Sequence, residues 1–179
     1  MLPKATVLTA ISYNMIARTE RPRRPEARFE IRRAVPRDAA ALAELSTQLG
    51  YPSSREQVER RLAAILADAA HIVLVAETRC TPTNTRALAG WVHAYVERTV
   101  ETDATVEIGG LVVEKTQRRL GLGRLLMGRV ERWAHETGFS TVTVRSNVTR
   151  RFEAHFFYER LGYRRVKNQR VFKKSVGSA

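Results

Sequence analysis

The sequence predicts a mixed α/β domain spanning residues 28–175, with element order β-α-α-β-β-β-α-β-α-β-β. Three observations carry this expectation. Apolar residues change between a two-residue and a 3.6-residue period along the chain. A strongly amphipathic stretch at 121–137 lies between two β-branched runs at 105–113 and 141–145. Hydrophobic residues make up 44% and charged residues 27% of the 179, a composition that can fill one core.

The elements follow in order. Phe29-Glu30-Ile31-Arg32-Arg33 alternates like a half-buried strand. Pro36 and Asp38 open a helix through Ala39, Leu42, Leu45 and Leu49, which Gly50 closes. Ser54 and Gln57 form a capping box for a second helix, with Val58, Leu62, Ile65 and Leu66 on one face. Residues 71–76 are a short apolar run, read as a buried strand, and Thr81-Pro82-Thr83-Asn84 makes a turn. Strands at 87–98 and 105–113 are joined by a loop carrying Glu101 and Asp103.

In the helix at 121–137, Leu122, Leu125, Leu126, Val130 and Trp133 recur at helical spacing, and Gly138 ends it. A strand at 141–145, a helix at 152–161 stopped by Gly162, and strands at 163–166 and 170–172 complete the pattern. Residues 1–27 lack a clean period and end in an Arg/Pro-rich run, so they read as a disordered basic extension. Residues 176–179 are a tail.

The net charge of +13 is unevenly placed: residues 1–33 hold +5 and residues 145–179 hold +8, leaving the middle neutral. A uniformly basic nucleic-acid binder is not distributed in this way, and nucleic acid is not an expected partner. The single cysteine, Cys80, excludes an internal disulfide and a Cys-rich zinc site, and implies a reducing, cytoplasmic setting. His71, His93, His135 and His155 share no metal-ligand spacing, so no metal is expected; His93, His155, Trp91 and Trp133 read as packing residues. No uncharged apolar run approaches the roughly 18 residues of a membrane span.

The chemistry concentrates in a strand-turn-helix: Leu111, Val112 and Val113, then Arg118, Arg119, Leu120, Gly121, Leu122, Gly123 and Arg124. Glycines at a helix start let a ligand approach the backbone, where free N–H groups and the helix dipole favour a phosphate. Three arginines reinforce that charge. The turn is neither a P-loop nor a complete dinucleotide fingerprint, since Leu126 stands where the third glycine belongs. Read without further context, two glycines also suit plain helix capping.

Arg118-x-x-Gly121-x-Gly123 resembles the coenzyme A-binding motif of the GNAT superfamily of N-acetyltransferases. The block from Ala154 through Phe157, Tyr158 and Gly162 to Tyr163 resembles that superfamily's late Ala-x-x-Phe-Tyr-x-x-x-Gly-Tyr segment. The resemblance extends over about residues 29–174, and it implies a central sheet with one splayed strand pair. Leu111, Val112 and Val113 would then pair their backbone with the pantetheine arm of acetyl-CoA, by strand addition. Backbone N–H groups of residues 118–124 would hold the pyrophosphate, and Asn147 would take the cofactor role of the asparagine that follows the next strand. Leu120 departs from the basic or small residue usual at its position.

The resemblance also assigns roles. Tyr158 would be the general acid: a phenol of pKa about 10 can protonate a thiolate whose conjugate acid lies at about 8.5. Glu107 resembles the general base of the histone-acetylating branch, and it is expected on one strand face with Gly109, Leu111 and Val113. A strand glutamate paired with an arginine and an anchor for a cationic acceptor are its other readings, and Gly109-Gly110 marks a candidate bulge. Glu97, Glu101, Asp103 and Glu107 favour a cationic amine as acceptor, from a small molecule or a protein. Direct transfer in a ternary complex is expected, because no activated cysteine is evident. A homodimer is compatible with this reading. The competing readings are an acyl-CoA sensor without turnover and a nucleic-acid binder using the basic ends.

Overall fold

The computed structural model describes residues 28–78, 87–147 and 152–177. The extension at 1–27, Cys80, the turn at 81–84, the entry to the last helix at 148–151 and residues 178–179 lie outside the described residues. The expected α/β class is observed. Strand β1 (Phe29–Arg33) leads through a 3₁₀ turn (Pro36–Asp38) into helices α1 (Ala39–Gln48) and α2 (Arg55–Leu66). Strands β2 (His71–Thr78), β3 (Leu88–Glu97) and β4 (Thr105–Val113) follow, then α3 (Leu122–Glu136), β5 (Val142–Val144) and α4 (Phe152–Arg160).

The sheet order is β1-β2-β3-β4-β5. The first four strands are antiparallel neighbours, whereas β5 runs parallel to β4 because α3 carries the chain back across the sheet. Each sheet face has its own core. Ile72, Leu74, Val92, Ala94, Val106 and Ile108 pack against Leu122, Leu126, Met127, Val130 and Trp133 of α3. On the opposite face Val73, Val75 and Trp91 pack against Ala39, Leu42 and Leu62 of α1 and α2.

Local chemistry sets the element ends. Gln57 N–H donates to Ser54 Oγ at 3.3 Å and Ser54 N–H to Gln57 Oε1 at 3.0 Å, which is the expected capping box. Helix α3 closes through a left-handed Gly138 (φ 88°), with Phe139 N–H donating to the Ala134 carbonyl at 2.8 Å. Arg32 fastens β1 to the start of α1. Its guanidinium donates to both oxygens of Asp38, at 2.7 and 2.8 Å, and to Glu77 of β2 at 2.5 Å.

Two sequence expectations need correction. The strands at 163–166 and 170–172 do not form; Val166, Val171 and Phe172 are at least 85% exposed. Their β-branched and aromatic residues are a local signal, and a strand also needs a ladder partner for its backbone groups. The second correction concerns the face on which Glu107 lies. His93 pairs with Gly110 but Ala94 pairs with Ile108, so Gly109 is an extra residue in β4. This bulge inverts the alternation beyond it. Glu107 therefore shares its face with Gly110 and Val112, and Leu111 and Val113 lie on the other face with Val106 and Ile108.

Candidate active site

The bond between β4 and β5 is short. Val106, Glu107 and Ile108 pair with Val142, Thr143 and Val144, and beyond Ile108 the outer edge of β4 has no strand partner among the described residues. Two parallel strands that part in this way leave a gap lined by backbone groups, as expected for Leu111, Val112 and Val113. Ser146 Oγ, just past the point where β5 leaves, is buried without a hydrogen-bond partner among the described residues. An orphaned hydroxyl at such a place suits a polar ligand passing through.

The turn at 118–121 sits at one end of this gap. Arg119 (φ 62°) is the one non-glycine residue with positive φ among those described, and Gly121 (φ 83°) is left-handed as well. Left-handed residues within a turn direct successive N–H groups toward one point and make an anion cradle. Leu125 N–H donates to the Gly121 carbonyl at 3.1 Å, the first bond of α3. The N–H groups of Leu122, Gly123 and Arg124 precede it and have no helical acceptor. Leu122 is 1% exposed, so its side chain anchors the helix in the core while its backbone faces the turn. Arg118, Arg119 and Arg124 are exposed around it, and Leu120 packs on the core. Arg118 Nε donates to the Val113 carbonyl at 3.0 Å, tying the turn to the end of β4.

The second glycine has a packing cause. A Cβ on Gly123 would stand 3.1 Å from the Phe157 ring and 3.9 Å from Val113. Three parts of the chain thus meet at Gly123: the end of β4, the start of α3 and the helix α4 that carries Tyr158. The Tyr158 ring lies edge-on to Phe157 at 5.2 Å and to Tyr163 at 5.9 Å. Tyr163 donates to Glu131 of α3 at 2.9 Å, and burial, then the Glu131 charge, hold its phenol well above the usual range. Asn147 is exposed in the segment after β5.

Glu107 lies on the opposite face from this group and is 2% exposed. It stands in a transverse row across four strands, His71–Tyr95–Glu107–Thr143. Thr143 Oγ1 donates to Glu107 Oε2 at 2.5 Å, and Arg145 lies 3.6 Å from Oε1. Arg145 also pairs with Glu97 at 2.5 Å; this hydrogen bond, together with the charge of Glu107, raises its pKa against a lowering by burial. Burial, then the Glu107 charge, pushes the Tyr95 phenol up. The structure thus brings the turn at 118–124 and Tyr158 together on one face and places Glu107 on the other, with the gap between β4 and β5 connecting the two. Sequence reading missed Tyr95, Thr143 and Arg145. The polar stripe Trp91-His93-Tyr95-Glu97 is visible as a two-residue period, but its partners depend on a register that the bulge shifts.

A parted parallel strand pair beside a turn of left-handed residues at a helix start suits a ligand that carries both amides and a phosphate. The sequence matches the acetyltransferase (GNAT) family over residues 39–163, and the chain belongs to that family. No curated protein sequence matches the chain. Among solved structures it is similar to an aminoglycoside antibiotic 6'-N-acetyltransferase from Acinetobacter baumannii, with 19% identity over 83% of this chain and 99% of that one, TM-score 0.70. It is also similar to glucosamine-6-phosphate N-acetyltransferase from Arabidopsis thaliana, with 21% identity over 82% and 99%, TM-score 0.67. A third is an aminoglycoside N-acetyltransferase in complex with CoA, with 16% identity over 83% and 95%, TM-score 0.70. Among the described residues no helix is long and apolar enough to cross a membrane, and no group of three or more His, Cys, Asp and Glu could hold a metal ion.

Proposed function

We propose that the protein moves the acetyl group of acetyl-CoA directly to a primary amine, with both substrates bound together. The observation that carries this reading is the convergence at Gly123 of the β4 end, the anion turn and the Tyr158 helix. Acetyl-CoA supplies the activated acyl group. Backbone N–H groups of residues 119–124 suit its pyrophosphate, and the free edge at Leu111, Val112 and Val113 suits its pantetheine amides. Asn147, beyond Ser146 on the opposite wall of the gap, is a further contact for that arm. Tyr158 protonates the departing thiolate.

Glu107 acts as an anchor in this reading. A base needs an open lone pair facing the substrate, and Glu107 is buried under Thr143 and Arg145. Two carboxylates, Glu97 and Glu107, share one guanidinium, so the trio keeps a net negative charge beside the gap. That charge favours a cationic amine. Amino sugars, the acceptors named for the aminoglycoside and glucosamine-phosphate enzymes of the same fold, belong to this class.

The test is thiol release from acetyl-CoA with a panel of amino sugars, polyamines and lysine peptides. One accepted amine is then used for two variants. Tyr158→Phe should keep cofactor affinity and lose about 10²-fold in kcat. Glu107→Gln should raise KM for the amine with a much smaller change in kcat. No turnover with any amine contradicts the transferase reading, and wild-type kcat in Tyr158→Phe removes the acid.

A further inference from the structure

The polar face beside the gap holds a histidine pair that no role above uses. His71 of β2 and His93 of β3 are stacked, with ring centroids 5.2 Å apart and planes 14° apart, and His71 Nδ1 lies 3.0 Å from His93 Nε2. Tyr95 continues the column, its ring 5.4 Å from that of His71. At the outer end His71 Nε2 lies 3.6 Å from Asp68 Oδ2.

These contacts favour one arrangement of the protons, with the 3.6 Å approach of Asp68 acting through its charge and not as a hydrogen bond. A carboxylate can only accept, so Asp68 favours a proton on His71 Nε2. A neutral His71 then has a lone pair on Nδ1, and His93 must donate to it from Nε2. That leaves His93 Nδ1 as an unprotonated nitrogen. Its position follows from the bulge. A Cβ on Gly109 would stand 3.1 Å from His93 Nδ1 and 3.1 Å from the Tyr95 ring, and Gly109 is exposed. The missing side chain at the bulge is thus what keeps Nδ1 reachable from the solvent side, on the same face as Glu107.

We propose that His93 Nδ1 is the proton acceptor for the attacking amine, and that His71 relays the proton outward to Asp68 and solvent. The proposal rests on the transferase reading above. A cationic acceptor first loses one proton to water; as the neutral amine nitrogen then bonds to the acetyl carbon, the C–N bond forms, the C–S bond breaks, and the nitrogen sheds its second proton. His93 Nδ1 takes that proton while His93 Nε2–H passes to His71 Nδ1, and His71 Nε2–H passes to Asp68 or water. The thiolate takes its own proton from Tyr158. Both imidazoles end neutral in the opposite tautomer and reset through solvent. Burial, and then the nearby His71, push the His93 pKa down to about 4, so the ring does not hold an added proton and must pass its own Nε2–H to His71 as Nδ1 accepts. The other charged or titratable groups near the column are Tyr95, Glu97, Glu107, Arg145, Asp68 and Arg33, and none is hydrogen-bonded to Nδ1 among the described contacts.

Three variants and one spectrum test this. His71→Ala removes a part-exposed ring, and should lower kcat about 10²-fold with unchanged KM for acetyl-CoA. Added imidazole should restore the rate, which a purely structural loss would not allow. His93→Gln should fall by a similar factor, and the double variant should fall no further. Gly109→Ala, which sets a methyl against Nδ1, should lower kcat while leaving both histidines in place. In the free protein, histidine ¹⁵N NMR should show His93 protonated on Nε2. Wild-type kcat in His71→Ala, or His93 carrying its proton on Nδ1, overturns the relay. If the wild-type enzyme acetylates no amine, it is the transferase reading that fails, whereas turnover with unaffected histidine variants removes the relay alone.

Discussion

Strands β3 and β4 show two faces of opposite character. One face, Val92, Ala94, Val106 and Ile108, is buried under α3 and carries no polar side chain. The other begins apolar at Trp91 under α1 and α2, then turns polar through His93, Tyr95, Glu97 and Glu107. The same backbone ladder supports both. The difference teaches that the α3 face supplies stability, while the far half of the other face keeps buried polar groups that a core would exclude. Such groups persist where partners satisfy them, as Thr143 and Arg145 do for Glu107.

The largest expected effect breaks the apolar face. Leu126 is fully buried, so Leu126→Ala should cost about 2–5 kcal/mol in denaturant unfolding. On the polar face, Tyr95→Phe removes only a hydroxyl that bonds Arg145 and should cost about 1 kcal/mol. Equal losses would contradict the division of labour.

A smaller effect sharpens the comparison through pH. His93 has a folded pKa of about 4 against an ordinary 6.5. Above 6.5 it is neutral in both states and contributes no slope. As pH falls from 6.5 toward 4 the unfolded chain binds a proton that the fold refuses, so stability declines in that window. His93→Gln should flatten this part of the stability–pH curve. An unchanged slope would mean that the polar face tolerates a charged His93.

The parts legible in the sequence are those set by local pattern. The α3 periodicity, the Ser54–Gln57 box and the helix end at Gly138 follow from residue type and spacing, and each is observed. The helix start at 121–124 was legible from its two glycines, and the family from the resemblance of that stretch and of the Ala154–Tyr163 block to GNAT motifs. The facing of Glu107 was not, because one inserted glycine shifts every side chain beyond it. The His71–His93 pair was not, because contact between residues on neighbouring strands depends on register. The closing strands show the reverse failure: β-branched and aromatic residues recur at 163–172, but no described strand accepts them.

The central claim is that the turn beginning at Arg118 holds the pyrophosphate of coenzyme A. Calorimetric titration of coenzyme A into the wild-type protein and into Gly121→Asp tests it most directly. Asp puts a Cβ into a left-handed position (φ 83°) and a carboxylate beside the N–H cradle. The account predicts tight saturable binding by the wild type and at least a hundredfold weaker binding by the variant, with the folded circular dichroism spectrum retained. Equal affinity in a folded Gly121→Asp protein would contradict it.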